Sequence, residues 1–179
     1  MTETHALDLP PAPQRTRLAV PEDPRDLPGD FPHRFAVVVR FGDTDAMGHT
    51  NNSRFLTYCE SARIDYWERA TGEPLAVVTH GAEESLILAE IRVTYRSPSY
   101  FGEPLVVESR IGRLGRTSFT LEHRITAPDS PRGAARLIAT AEGVQVLYDY
   151  SSERPEPLPD DLVAQLEAFE GRALRPAGG

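Results

Sequence analysis

The chain of 179 residues contains a single cysteine, Cys59, and no long hydrophobic run. One cysteine excludes an internal disulfide, and nothing else in the sequence indicates an oxidising compartment. No stretch approaches the length of a membrane span, and the polar N-terminus lacks the apolar segment of a signal peptide. We therefore expect a cytoplasmic protein that does not interact with a membrane.

Positive charge is also scarce. The 19 Lys and Arg residues are outnumbered by 27 Asp and Glu residues, which gives a formal net charge of −8 at pH 7. No run of basic residues forms a stripe, so a nucleic-acid partner is not expected. An anionic ligand would have to be bound by local arginines. Cys and His do not cluster at ligand spacing either, and we predict no metal site.

Proline is concentrated at the N-terminus, where residues 1–32 hold seven of the sixteen prolines and few large apolar side chains. Such a segment cannot bury enough surface to offset the entropy lost on ordering, so we predict a flexible tail. The folded domain is expected over residues 33–150. Within residues 151–179, Asp160 can cap a short helix that ends at Gly171 and is expected to pack on the surface.

The hydrophobic pattern changes its period along the domain. Residues 35–39 are rich in β-branched side chains, whereas residues 53–70 lack Gly and Pro and place apolar side chains three and four positions apart. Four further segments alternate apolar and polar residues, as half-buried strands do; they centre on residues 87–95, 105–111, 119–125 and 136–148. Short connections favour antiparallel pairing. The pattern predicts an α+β domain in which a five-stranded antiparallel sheet wraps one long central helix.

The segment FGDTDAMGHTNN joins the first strand to the helix and concentrates polar groups in one turn. It carries two carboxylates, Asp43 and Asp45, together with His49 and two amides, Asn51 and Asn52. The backbone N–H groups of a helix's first turn lack intrahelical partners and carry the positive end of the helix dipole, so an oxyanion held there is stabilised. A carboxylate beside such an N-terminus suits acyl chemistry, in which a carbonyl oxygen gains negative charge.

This motif, the helix after it, the alternating strands and the turn IGRLGRTSFT resemble the 4-hydroxybenzoyl-CoA thioesterase branch of the hotdog-fold superfamily. The resemblance covers about residues 34–150 and implies a hotdog fold and an acyl-CoA thioesterase. It implies that Asp45 is the catalytic carboxylate and that the backbone N–H of Asn52 faces the thioester carbonyl. It also implies a homodimer or homotetramer with sites at subunit interfaces. No cofactor is implied, since coenzyme A is part of the substrate; the acyl group and its carrier, coenzyme A or acyl carrier protein, do not follow.

The residues of the motif also have structural interpretations. Asp43, beside Gly42 and Thr44, is expected to accept hydrogen bonds from turn N–H groups rather than to take part in catalysis. Asp45 could stabilise the turn or cap the helix instead of acting on substrate. His49 is a candidate for positioning substrate or water, and a histidine hydrogen-bonded within the turn is the alternative.

Further candidates for substrate binding lie on the helix and at its start. Asn51 could contact substrate, although it is also a good capping residue. Glu60 most simply pairs with Arg63 on the helix surface, but it could face the cleft in a partner subunit. Cys59 and His123 are expected to be packed in the core rather than reactive or metal-bound.

A basic turn offers candidates for binding coenzyme A. Arg113, Arg116 and Ser118 lie around one predicted turn, where guanidinium groups could meet phosphates. A solvated basic turn without a ligand is the alternative.

The chemistry of thioester cleavage needs few groups. A thiol has a pKa of about 8.5, so it can leave as thiolate without a strong general acid. Asp45 could activate water as a general base or attack the carbonyl to form a mixed anhydride. The main alternative is a hotdog hydratase or dehydratase, which the chain resembles less: that motif has four residues between Asp and His, whereas three separate Asp45 from His49. A non-catalytic hotdog that binds an acyl thioester is the third alternative.

Overall fold

The computed structural model describes residues 26–75, 84–131 and 133–175. Five long antiparallel strands form one sheet in the spatial order β1-β3-β4-β5-β2, and a two-residue strand, β6, pairs with the end of β5. The strands are β1 (His33–Val38), β2 (Glu84–Tyr95), β3 (Pro104–Leu114), β4 (Ser118–Ala127), β5 (Arg136–Asp149) and β6 (Arg154–Pro155), and the helices are α1 (Asn52–Thr71) and α2 (Asp160–Glu170). The predicted α+β hotdog architecture, a five-stranded antiparallel sheet with one long helix, is confirmed. Neither described helix combines the length and the apolar character needed to span a membrane.

Helix α1 begins and ends where its sequence provides caps. The side chain of Asn51 accepts a hydrogen bond from the N–H of Ser53 at 2.9 Å, and Gly72 ends the helix in the left-handed region with φ of 76°. The 20 residues of α1 span about 30 Å. Its buried stripe comprises Phe55, Tyr58, Cys59, Ala62, Tyr66 and Trp67. The Cys59 thiol is buried, and desolvation raises its pKa to about 12, which makes it unreactive.

The helix is not centred on the sheet. Its closest packing is over β1 and β3, where His33 Nε2 lies 2.7 Å from the carboxylate of Asp65. The core on this side joins Phe55 and Ala62 of α1 to Val107 of β3. The same core also contains Ala139 of β5, and a groove lies further along α1, between the helix and strands β5 and β2.

Helix α2 packs one face against the core and leaves the opposite face exposed. Val163 and Leu166 are buried and pack with Tyr66 and Trp67 of α1. Pro159 rather than Asp160 occupies the N-cap position, whereas Gly171 ends the helix as expected.

The C-terminal end of α2 also covers an edge of the sheet. Strand β1 pairs with β3 only as far as Ser109. Beyond that point Glu170 accepts hydrogen bonds from the N–H of Ile111 at 2.7 Å and from the hydroxyl of Tyr66 at 2.6 Å. Arg172 donates to the carbonyl oxygen of Ile111. Two side chains thus bind the backbone groups that a continued β1 would have bound.

The folded part of the chain starts earlier than residue 33. Leu27 is buried, and its carbonyl oxygen accepts a hydrogen bond from Arg124. The ring of Phe31 lies between the guanidinium groups of Arg110 and Arg124, each 4.4 Å from the ring centroid. Residues 26–32 therefore pack on the outer face of β3 and β4, although they were included in the predicted tail. The prediction for residues 1–25 lies outside the described residues, and the wider division into domains stays a prediction.

Candidate active site

Asp43 holds together the turn that precedes α1. Its Oδ2 atom accepts hydrogen bonds from the backbone N–H of Arg40 and from the hydroxyl of Tyr58, each at 2.9 Å. The Arg54 guanidinium lies 3.6 Å from Oδ1. Burial and the Asp43 carboxylate both raise the pKa of the Tyr58 hydroxyl, burial more strongly, so Tyr58 remains a donor. The carboxylate of Asp43 is therefore used for structure.

Asp45 opens a tight turn that ends at His49. The N–H of Asp45 donates to the carbonyl oxygen of His49 at 2.9 Å, and the N–H of Gly48 donates back to the carbonyl oxygen of Asp45 at 3.0 Å. Gly48 has φ of 80°, a conformation that glycine adopts without strain. The side chain uses only Oδ1 inside the turn, where it accepts from the N–H of Met47 at 2.9 Å. No described residue donates to Oδ2 of Asp45, which leaves that oxygen available to water or substrate.

The loop between β2 and β3, residues 96–103, binds the side of this turn and is called the clamping loop below. The N–H of Thr50 donates to the carbonyl oxygen of Ser99 at 2.8 Å, and the two hydroxyls lie 2.7 Å apart. The His49 ring packs edge-on against Tyr100, with 5.4 Å between ring centroids. Buried Glu103 accepts from the N–H of Tyr100 at 3.0 Å and so fixes the loop. His49 is thereby held against an aromatic ring.

The sequence did not identify the clamping loop as part of the site. Its local features, Pro98 and Gly102, indicate only a turn. The partners of Ser99 and Tyr100 are about 50 positions away in the chain, and no local pattern reveals such a pairing.

Asn51 and Asn52 stand at the N-terminus of α1. The side chain of Asn51 accepts hydrogen bonds from the N–H and the hydroxyl of Ser53, so it caps the helix. Asn52 is the first residue of α1, and its N–H therefore has no intrahelical acceptor. Thr44 pairs with Thr50 across the base of the turn. One short loop thus carries Asp45, His49, Asn51 and Asn52, with the open end of the helix dipole beside the Asp45 turn.

The structure does not bring the other predicted residues to this loop within one chain. Glu60 lies two turns further along α1 with its side chain 62% exposed, and its Oε1 is 3.7 Å from Arg63. Arg113, Arg116 and Ser118 lie at the β3–β4 hairpin, whereas the Asp45 loop lies beside the opposite end of β3. Ten residues of strand separate the two ends by about 33 Å. Their role in binding coenzyme A stays a prediction, and it requires a second subunit.

His123 is packed in the core. Its Nδ1 atom lies 2.9 Å from the hydroxyl of Ser109, and burial lowers the pKa of the imidazole to about 3. The ring is therefore neutral at physiological pH. No group of three or more His, Cys, Asp or Glu residues in the described ranges is arranged to hold a metal ion.

Exposed apolar side chains surround the Asp45 turn. Phe41 and Met47 are 79% and 78% exposed. The ring of Phe41 contacts that of Phe101 on the clamping loop, at 6.0 Å between centroids. A cavity of about 160 Å³ begins one turn along α1, at Leu56 and Thr57, and lies between the helix and strands β2, β4 and β5.

Three known proteins are similar to this chain over most of its length. A 1,4-dihydroxy-2-naphthoyl-CoA hydrolase of Synechococcus elongatus is 27% identical over 130 residues, which cover 73% of this chain and 91% of the relative. The long-chain acyl-CoA thioesterase FadM of Escherichia coli is 27% identical over 131 residues, covering 73% and 94% of the two chains. The crystal structure of a thioesterase from Thermus thermophilus complexed with coenzyme A and Zn is 37% identical, with a TM-score of 0.66 over 79% of this chain and 96% of that chain.

The family to which the chain belongs is identified by a match to a family model. The model described as the thioesterase-like superfamily matches residues 39–166, which include the Asp45 turn, α1, strands β2 to β5 and most of α2. The match extends over more than half of the sequence and confirms the resemblance drawn from the motif. The chain therefore belongs to the thioesterase-like superfamily.

Proposed function

We propose that the protein hydrolyses the thioester bond of an acyl-CoA, with Asp45 as the catalytic carboxylate. The observation that carries this proposal is that one short loop holds both Oδ2 of Asp45, to which no described residue donates, and the N–H of Asn52, which has no intrahelical acceptor. The names of the curated relatives support thioester hydrolysis, and they do not favour a hydratase.

The backbone of α1 supplies the electrostatic part of the reaction. The thioester carbonyl oxygen accepts a hydrogen bond from the N–H of Asn52, where the helix dipole stabilises the negative charge that develops on attack. The hydroxyl of Tyr95 donates to the carbonyl oxygen of Asn52 at 3.1 Å, which ties the first turn of α1 to strand β2. No side chain is needed for this role.

Asp45 supplies the nucleophilic part. Its Oδ2 either takes a proton from water, which then attacks the carbonyl carbon, or attacks the carbon itself to form an anhydride that water opens. In both routes the C–S bond breaks, the thiol leaves as thiolate without a general acid, and the products are the free acid and coenzyme A. His49, held against Tyr100, positions substrate or water.

We also propose that a second subunit completes the site and that the protein works in the cytoplasm as a homodimer or homotetramer. Strands β1 and β2 are the edges of the sheet, and β2 offers up to 12 residues for pairing. The exposed Phe41 and Met47 beside the Asp45 turn give a partner an apolar surface to cover. The partner's hairpin can then bring its copies of Arg113, Arg116 and Ser118 toward the phosphates of coenzyme A.

The test is release of free thiol from a panel of acyl-CoAs by the wild-type protein and by Asp45→Asn. The amide oxygen of asparagine can still accept from the N–H of Met47, so the turn should survive while turnover falls at least about a hundredfold. Asp160→Asn, which changes a side chain that is 92% exposed, is the matched control and should behave as wild type.

Hydration of enoyl-CoA should be measured in parallel. Wild-type activity in a folded Asp45→Asn protein would remove Asp45 from the mechanism. Hydration without thiol release from the wild-type protein would replace the hydrolase with a lyase.

A further inference from the structure

The cavity beside α1 follows the helix face on which Asn52 lies. Asn52, Leu56, Glu60 and Arg63 are spaced by four, four and three residues, so they share one face of α1. The last three line the cavity. The helix rises about 16 Å between Asn52 and Arg63. A thioester bound at the Asn52 N–H can therefore direct its acyl group along this face and into the groove.

The two ends of the groove differ in chemistry. Toward the Asn52 end the walls are apolar and include Leu56 and Ile91, and apolar Leu88 lies opposite Gln145 on the neighbouring strand. At the inner end Nη1 of Arg63 donates to Oε1 of buried Gln145 at 2.7 Å. A separate small apolar cavity lies beyond this pair, and Arg63 and Gln145 line both spaces. The hydrogen-bonded pair is therefore the wall that closes the groove.

The charge of Arg63 is poorly compensated. Its side chain is only 16% exposed, and the carboxylate of Glu60, itself 62% exposed, lies 3.7 Å away, which is too long for a hydrogen bond. Desolvation lowers the pKa of Arg63 by more than the Glu60 charge raises it. A guanidinium carries five N–H donors, and Gln145 accepts from one of them. The end of the groove thus offers a desolvated cation with N–H donors that no described residue other than Gln145 accepts from.

We infer that Arg63 selects acyl groups that carry an oxygen acceptor, a hydroxyl or a carboxylate, at the end remote from the thioester. This inference rests on the proposed function, because it places the thioester carbonyl at Asn52. A hydrogen bond from a guanidinium to such an oxygen is charge-assisted and stronger than a neutral one. An alkyl end would instead displace water from the guanidinium group without forming a hydrogen bond in its place.

The inference is tested with pairs of acyl-CoAs of equal length, one ending in a methyl group and the other in a carboxylate or hydroxyl. The wild-type protein should prefer the oxygenated member by about tenfold or more in kcat/KM, a difference of about 1.4 kcal/mol. Arg63→Met keeps an extended apolar side chain and removes the donors. It should lower kcat/KM for the oxygenated member by about tenfold, mainly through KM, and leave the alkyl member within about threefold.

Two further variants separate the groove from the rest of the helix. Arg69→Met removes another arginine of α1, one that pairs with Asp65 at 2.7 Å outside the groove, and it should not alter the preference. A Cβ atom at Gly143 would lie 3.3 Å from Nε2 of Gln145 and 3.4 Å from Cδ1 of Leu88. Gly143→Val should therefore narrow the groove and weaken turnover of long acyl-CoAs while sparing acetyl-CoA.

Equilibrium binding distinguishes failure of this inference from failure of the proposed function. Calorimetry in the Asp45→Asn background measures the affinity for the same acyl-CoA pairs without turnover. Absence of thiol release from the wild-type protein would refute the hydrolase, yet a binding preference that Arg63→Met abolishes would still support selection by Arg63. Equal affinities for the two members of each pair, or a preference that Arg63→Met leaves intact, would overturn the inference even in an active thioesterase.

Discussion

Replacing Asp43 by alanine should destabilise the protein without removing the carboxylate proposed to do the chemistry. Asp43 and Asp45 are two positions apart, yet the first binds the N–H of Arg40 and the hydroxyl of Tyr58, whereas the second leaves Oδ2 without a donor from the described residues. Substitutions of the two aspartates should therefore have different effects on stability and on turnover. Substitution of Asp43 should lower the free energy of unfolding, and Asp45→Asn should lower turnover.

The size of the effect follows from the two hydrogen bonds that end on Oδ2 of Asp43. A hydrogen bond to a charged group contributes about 1.5–3 kcal/mol. The backbone N–H of exposed Arg40 can regain water after the substitution, but the hydroxyl of Tyr58, in a residue only 6% exposed, cannot. We expect a loss of about 3 kcal/mol in Asp43→Ala. At 2–4 °C per kcal/mol for a chain of this size, Tm should fall by about 6–12 °C.

A double-mutant cycle tests the reasoning. Tyr58→Phe alone should cost about 1.5 kcal/mol. The double variant should lose about 3 kcal/mol rather than the sum, because removing the hydroxyl abolishes the unpaired donor that Asp43→Ala creates. Urea and thermal unfolding followed by circular dichroism give the stabilities, and thiol release well below Tm gives the activity. Additive losses would refute the pairing, and an Asp43→Ala protein with wild-type Tm and the activity of Asp45→Asn would assign Asp43 to the chemistry.

Three further predictions concern stability and assembly. Burial lowers the pKa of both His123 and His33, that of His123 to about 3, so each binds a proton more readily when the chain is unfolded. Stability should therefore be complete above about pH 6.5 and fall as the pH drops below it. The loss from His123 should be about 1.4 kcal/mol between pH 8 and pH 5.5, and equal urea midpoints at the two pH values would contradict this. Glu170→Ala should lower the unfolding free energy by about 3 kcal/mol because it leaves Tyr66 and Ile111 without their acceptor, and an unchanged urea midpoint would show that these two hydrogen bonds do not stabilise the fold. Light scattering at micromolar concentration should report a dimer or tetramer, and an active monomer would refute the shared site.

Local sequence patterns predicted the regular elements well. A strand of period two and a helix of period 3.6 are local properties, so β2 to β5 and α1 could be recognised from alternation and from the stripe that runs from Phe55 to Trp67. The turn that carries Asp45 and Asn52 was located in the same way, since a strand, a glycine-containing turn and a capped helix follow one another directly.

Contacts between distant segments could not be predicted in this way. Arg63 has Glu60 as its neighbour on the helix, and a surface ion pair was the simplest interpretation, but its hydrogen-bond partner Gln145 is 82 positions away. Phe31 lies in a proline-rich segment whose composition predicts a tail, and only the two arginines on adjacent strands give its ring a binding surface. In both cases the sheet topology decides the partner, and composition carries no information about it.

The packing of α2 against the core has a consequence for synthesis of the chain. Tyr66 and Trp67 leave the ribosome with α1, but the residues of α2 that bury them, Val163 and Leu166, follow almost 100 positions later. At about 5–20 residues per second the apolar face of α1 waits about 5–20 s for its last partners. Throughout that interval the nascent helix exposes the aromatic side chains that α2 covers in the folded protein.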